Sequence, residues 1–138
     1  MINFPESIGY FEIDHTADIA IAVTGNSVES LFIQSFSALK KIANVKLTTN
    51  AIAESSLSLK AKTIESLLVA FLNEMLILIE SRKCPVCKQL KIRDNHIKFF
   101  YTLFECEVRG AELKAVTYNM LNIIEHAGYF STIIVFDI

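Results

Sequence analysis

The longest apolar stretch of the chain, from Leu67 to Ile79, most strongly limits what the chain can fold into. Its apolar residues recur at helical spacing and Thr63 stands at a suitable N-cap position, so the pattern predicts a helix from Ile64 to about Ser81. The stretch is interrupted by Asn73-Glu74 and is shorter than the roughly 20 residues that cross a bilayer. We therefore expect a buried central helix and no membrane anchor.

A second amphipathic helix is predicted from Val28 to Lys41, with Ser27 as its N-cap. Most other segments have the alternation of strands, and Asp94-Asn95 and Ala127-Gly128 indicate turns between them. The predicted strands are Tyr10 to Ile13, a second one through Val23, Ala51 to Ala61, Gln89 to Arg93, Ile97 to Val108, Leu113 to Tyr118, Leu121 to Glu125 and Tyr129 to Asp137. Helices placed early and strands that meander late predict an α+β fold, with two helices packed on a mainly antiparallel sheet.

Length and composition predict one globular domain over residues 1–138, because 52% of the residues are hydrophobic. The chain has 13 Lys and Arg against 15 Asp and Glu, a formal net charge of −2. This balance argues against strong direct nucleic-acid binding through general electrostatics. No secretory signal is evident at the N-terminus, so we expect a cytoplasmic protein whose three cysteines are reduced.

Two acidic residues lie at the ends of apolar segments that belong in a core. Asp18 precedes Ile19 to Val23, and Asp137 follows Ile133 to Phe136. A third negative group, the carboxylate of Ile138 if nothing follows it, would repel both acids unless a cation or a proton were shared. The residues alone leave two interpretations open. The acids are solvated strand ends, which is the commoner case, or they are oxygen ligands of a hard cation such as Ca²⁺ or Mg²⁺.

The strongest competing signal is Cys84-Pro85-Val86-Cys87, because two thiols at this spacing make half of a zinc site or a redox dithiol. No second pair exists, so a zinc site would have to recruit His96 and Cys106. The placement between a strand and a helix start that is typical of redox sites is also missing. We expect a local loop at these cysteines.

Four motifs, in this order, resemble the archease family over the full chain: His15-Thr16-Ala17-Asp18, Ser66 to Glu74 with its Asn-Glu pair, Leu113 to Tyr118, and Phe136-Asp137-Ile138. Two positions depart from the family pattern. Asp14 stands where archeases usually have Glu, and it keeps the charge with a shorter reach. Asn119 stands where archeases have His, and its side chain keeps hydrogen-bonding groups but does not titrate near neutral pH as a histidine does.

The resemblance implies an α+β domain of the strand-helix-strand-strand type that is not itself an enzyme. It implies a protein cofactor that activates an RtcB-type RNA-splicing ligase in tRNA splicing and RNA repair, by promoting guanylylation of the ligase and multiple turnovers. Some members of the family are viewed as chaperone-like. The resemblance also implies a bound divalent cation, Ca²⁺ with Mg²⁺ as the alternative, held by Asp18, Asp137 and Ile138. His15 would hydrogen-bond near the site without binding the ion.

Two other functions stay open from the residues alone. One is a small metal-dependent hydrolase in which Asp18 and Asp137 hold a cation that activates water, with His15 as the base. The sequence has no nucleophile elbow, no His pair at helical spacing and no phosphate loop to support it. The other is a zinc or redox module built on Cys84 and Cys87.

Overall fold

The computed structural model describes residues 4–13, 18–118 and 120–138. Within these residues the chain forms two helices and eight strands. The helices are α1 (Val28–Ile42) and α2 (Ile64–Glu80). The strands are β1 (Gly9–Ile13), β2 (Ile19–Gly25), β3 (Val45–Lys60), β4 (Lys83–Arg93), β5 (His96–Val108), β6 (Ala115–Thr117), β7 (Ile124–His126) and β8 (Tyr129–Asp137).

Both helices begin where the sequence predicts, because a hydroxyl group caps each first turn. The Ser27 Oγ accepts a hydrogen bond from the backbone N–H of Ser30 at 3.0 Å, and the Thr63 Oγ1 accepts one from Ser66, also at 3.0 Å. The apolar stripe of α2 is buried; its buried side chains are Leu67, Leu68, Val69, Phe71, Leu72, Met75, Leu76 and Ile79. Neither described helix combines the length and the apolar character needed to cross a membrane.

The strands form two antiparallel sheets. The five-stranded sheet runs β1-β2-β8-β6, with β7 also paired to β8, and the three-stranded sheet runs β3-β5-β4. The predicted α+β class, with two helices packed on antiparallel strands, is confirmed. The division into two sheets departs from the single sheet that the strand pattern suggested, because sheet membership depends on pairings between distant segments that local alternation does not encode.

Two tight hairpins set the registers of the strands. Asp94 and Asn95 join β4 to β5 with φ angles of 51° and 58°, and Ala127 and Gly128 join β7 to β8 with φ angles of 51° and 81°. Positive φ at both central residues is typical of the two-residue type I′ turn, whose twist matches that of the flanking strands. Both predicted turns are confirmed.

Several strands differ in extent from the prediction. β3 starts at Val45 instead of Ala51, β6 is confined to Ala115–Thr117 and β7 is shifted to Ile124–His126. β4 starts at Lys83, so the two cysteines lie in a strand, and the expected loop there was wrong. Because β4 is an edge strand, it tolerates a proline that lacks a backbone N–H.

One large hydrophobic cluster joins the two sheets through the helices. It contains side chains of both helices, of β2 and β8 from one sheet, and of β4 and β5 from the other. A smaller cluster lies on the opposite face of the five-stranded sheet. It consists of Ala20, Ile133 and Val135, with Phe4 and Ile13 packed against them.

Candidate functional site

The pairing of β2 with β8 brings together the two strand ends that carry the predicted acidic ligands. Ile19 pairs with Phe136 at the end of this ladder, and the neighbouring pairs keep the same register. Asp18 lies in a bend directly before Ile19, and Asp137 directly follows Phe136 as the last residue of β8. Two carboxylates that are far apart in the sequence therefore lie at the same end of the five-stranded sheet.

The acid pair is accessible to solvent. Asp18 is half-buried, Asp137 is exposed, and Ile138 is 52% exposed. In the part of the chain that the structure describes, the ion pairs join other residues, and neither acid has a cationic partner. Two carboxylates at the same end of a sheet repel each other, so a cation between these two acids would relieve the repulsion.

The donor atoms at this edge fit a hard cation. Carboxylate oxygens are the ligands that Ca²⁺ and Mg²⁺ prefer, and exposure allows water to complete the coordination sphere. Within residues 4–13, 18–118 and 120–138, no three side chains of His, Cys, Asp or Glu come together as a metal site. An ion here would therefore need further ligands, such as water, in addition to the two aspartates.

Several residues singled out in the sequence fall outside the described part of the chain. These are His15, with its neighbours Asp14, Thr16 and Ala17, and also Asn119. The predicted support of the site by His15 therefore stays a prediction, and so does any effect of the two departures from the family pattern.

A polar side chain of α2 holds the strand that flanks the acid pair. β6 pairs with β8 so that Ala115 lies opposite Asp137. The Asn73 Oδ1 accepts a hydrogen bond from the backbone N–H of Val116 at 2.9 Å, and its Nδ2 donates to the Val116 carbonyl at 3.4 Å. The amide thus pairs both main-chain groups of Val116, as a neighbouring strand would. The sequence signal for this role is the amide that interrupts the apolar stretch of α2.

Replacing Asn73 with Ala is expected to lower the free energy of unfolding by about 2 kcal/mol, because two part-buried main-chain groups lose their partner. Chemical denaturation measures this change. The matched control is Glu74→Ala on the same helix: no described residue hydrogen-bonds to Glu74, and the expected change is within about 0.5 kcal/mol. Equal losses in the two variants would contradict a role for the Asn73 amide in holding β6.

The geometry of the cysteine pair does not suit a metal or a disulfide. Cys84 and Cys87 are three residues apart in an extended strand, so their side chains point to opposite faces and their Cα atoms are roughly 10 Å apart. Cys84 is accordingly buried, whereas Cys87 is exposed. A disulfide needs Cα atoms within about 7 Å, so the pair cannot close without breaking the strand.

The pKa values of these thiols also argue against a reactive cysteine pair. Burial raises the pKa of Cys84 to about 11, and it also raises the pKa of Cys87, whereas reactive cysteines have a lowered pKa. His96 and Cys106, which a zinc site would recruit, lie near opposite ends of the 13-residue strand β5. The zinc and redox alternatives are therefore wrong for this fold.

Comparisons with known proteins indicate one family. A model of the archease protein family matches residues 10–138, a range that includes both acids of the pair. An archease from Methanosarcina mazei is 31% identical over 142 residues, which cover 94% of this chain and 95% of the relative. An archease-like protein from Drosophila melanogaster is 29% identical, over 94% of this chain and 90% of its own length.

Solved structures share the fold. The crystal structure of an archease from Thermotoga maritima, described as a possible chaperone, matches with a TM-score of 0.72 at 27% identity, covering 91% of this chain and 94% of that one. The solution structure of a Methanobacterium thermoautotrophicum protein matches with a TM-score of 0.69 at 22% identity, covering 94% and 99%, and its likeness concerns the fold alone. The extent of the family match, with relatives of about 30% identity along almost the whole chain, shows that this chain belongs to the archease protein family.

Proposed function

We propose that this chain is a non-catalytic accessory protein that activates an RtcB-type RNA-splicing ligase in tRNA splicing and RNA repair. Membership of the archease family supports an accessory role, as does the description of the Thermotoga maritima relative as a possible chaperone. The observation that carries the proposal is the accessible acid pair at the end of β2 and β8. Its exposure suits contact with a partner protein better than an enclosed reaction. The expected cytoplasmic location is part of the proposal.

The proposed role of the acid pair is to hold a divalent cation. Asp18, Asp137 and the carboxylate of Ile138 would supply its oxygen ligands, with Ca²⁺ as the expected ion and Mg²⁺ as the alternative. When bound, such an ion supplies a local positive charge that attracts phosphate oxygens. Two features of the fold support this role. The pairing of β2 with β8 brings the strand ends that carry the two acids together, and Asn73 holds β6 beside β8.

Calorimetric titration with calcium chloride tests the ion site. Asp18→Asn, Asp137→Asn and a variant with one glycine added after Ile138 are each expected to bind Ca²⁺ about tenfold more weakly or worse, because each disturbs one anionic ligand. Asp94→Asn is the matched control, since it makes the same chemical change in the exposed β4–β5 turn, and it should bind like the wild type. Unchanged affinity in the extended variant would remove Ile138 from the ligand set.

Guanylylation of a cognate RtcB-type ligase, followed with labelled GTP, tests the function itself. The wild-type chain is expected to increase the rate and to sustain several turnovers. The Asp18→Asn and Asp137→Asn variants should lose most of this stimulation, and Asp94→Asn should keep it. If the folded wild-type chain gave no stimulation but hydrolysed members of a phosphoester panel, the metal-dependent hydrolase would be the better assignment.

A further inference from the structure

The solvent face of the three-stranded sheet gathers cationic side chains from all three strands. Its pairings place Lys98 between Ser58 and Lys91 in one row, and His96 between Lys60 and Arg93 in the next. Residues directly paired in a sheet point to the same side. The same side chains line one shallow depression, together with Asp94 of the hairpin turn. We call this surface the basic face; its residues are Lys60, Lys91, Arg93, His96 and Lys98.

The arrangement of charge on the basic face is unfavourable for the free protein. Lys91 lies directly opposite Lys98, and like charges in this position destabilise a sheet. Among the described residues, no ion pair involves a side chain of the basic face, although on the same sheet Lys88 pairs with Glu54. The formal net charge of the chain is −2, so the Lys and Arg side chains of the basic face form a local cluster and are not part of a general excess of positive charge. Such a concentration favours an anionic partner.

An exposed aromatic ring adjoins the cations. Phe100 lies in the next row of the same face, between Ser56 and Gln89, and it is 42% exposed. A ring left in water beside cations is a platform on which a nucleobase can stack while Lys and Arg contact the phosphates. The ring favours a nucleic acid, because every base has a flat face that can stack on it. An acidic protein and an anionic membrane are tested as the alternative partners.

We propose that the basic face binds single-stranded nucleic acid, with Lys60, Lys91, Arg93 and Lys98 on the phosphates and Phe100 stacked on a base. The Ser58 Oγ and the His96 Nε2 lie 2.6 Å apart in a hydrogen bond, which fixes the imidazole ring within the row of cations. Because the net charge of the chain is negative, this binding is weak and depends on the local surface. It does not require the ligase, so the isolated chain can be tested.

Fluorescence anisotropy of a labelled single-stranded oligouridylate measures the binding directly. Four phosphate contacts on a single strand give a salt slope of about −3, so affinity should fall roughly 50-fold between about 50 and 200 mM salt. Lys91→Gln/Lys98→Gln should weaken binding about tenfold and flatten this slope, because two phosphate contacts are lost. Phe100→Ala should weaken binding about fivefold or more without changing the slope, because stacking is not ionic.

Matched variants control for charge and for apolar surface. Lys46→Gln/Lys83→Gln removes the same charge from exposed positions outside the basic face, and it should leave affinity unchanged. Ile52→Ala, at a residue that is 45% exposed, controls for Phe100→Ala. Equal weakening by the two lysine pairs would show that only overall charge matters and would overturn the proposal.

Two further results would also overturn the proposal. The first is a wild-type affinity for the oligouridylate weaker than about 100 µM at low salt, below the usual range of non-specific binding. The second is equal or tighter binding of polyglutamate or of phosphatidylserine vesicles, which would assign the face to an acidic protein or to a membrane. Loss of ligase stimulation in the Asp137→Asn variant, with nucleic-acid binding intact, would show that the two surfaces act separately.

Discussion

Phe71→Ala is expected to lower the free energy of unfolding by about 3–5 kcal/mol, the usual range for removing a buried aromatic side chain. Phe71 is fully buried in α2 and contacts three other rings. Its ring centroid lies 5.3 Å from that of Phe99 at 90°, 5.7 Å from Phe32 at 37° and 6.1 Å from Phe36 at 79°. Since these partners belong to α1 and β5, the cavity would open where the two helices meet the three-stranded sheet.

Denaturant titration followed by circular dichroism measures this loss. Phe100→Ala is the matched control, because it removes the same side chain from the solvent-exposed face of β5. The free energy of unfolding of this variant is expected to change by less than about 1 kcal/mol. If Phe71→Ala lowered the free energy of unfolding by less than about 1 kcal/mol, the central position of this ring would be contradicted, because removal of a buried aromatic side chain destabilises a protein by more than this.

Gly25→Ala is expected to cost several kcal/mol, because there is no room for a side chain at the junction of β2 and α1. A Cβ on Gly25 would lie 2.3 Å from the backbone N of Leu31 and 2.7 Å from its Cα. The obstacle is helical backbone and not a flexible side chain, so the first turn of α1 would have to move away from the sheet. Leu31 and Phe32, both fully buried, would move with it.

Thermal unfolding is the measurement for this variant, with Gly128→Ala as its control. Gly128 has a φ of 81° and open space around its Cα, so alanine there should cost only about 1–2 kcal/mol of backbone strain. If the two variants melted at the same temperature, the close approach of Gly25 to α1 would not matter for stability.

The features that the sequence predicts well are those encoded locally. Ser27 and Thr63 cap their helices as expected, and the Asp94-Asn95 turn has the two positive φ angles of a tight hairpin. The alternation that predicts a strand from Ala51 to Ala61 is also present near the end of β3, where Leu57 and Leu59 are half-buried while Ser58 is exposed. Each of these needs only neighbouring residues, through a capping hydroxyl, turn chemistry or a period of two.

The features that the sequence does not predict depend on distant partners. The first part of β3 is exposed on both faces, so it lacks the alternation that marks a half-buried strand, and its pairing with β5 supplies its order. Asn73 gains its role from Val116 on another element. The sequence places Asp18 and Asp137 only at the ends of two apolar segments, and the pairing of β2 with β8 is what brings those ends to the same side of the sheet.

The net charge shows how an average can hide a local feature. Lys91 and Arg93 alternate before the Asp94-Asn95 turn, and His96 and Lys98 alternate after it. A two-residue hairpin places residues at equal distances from the turn opposite each other, so the sequence contains enough information to pair these basic residues. The balance of 13 basic against 15 acidic residues does not reveal this pairing.

The position of β8 between β2 and β6 has a consequence for biosynthesis. β8 is the last strand in the described chain, yet it occupies an interior position and pairs with β2, β6 and β7. A nascent chain on the ribosome can form α1, α2 and the three-stranded sheet before β8 is translated, but β2 must wait for its partner with one edge unpaired. Completion of the five-stranded sheet, and with it the approach of the two acids, therefore cannot precede the translation of β8.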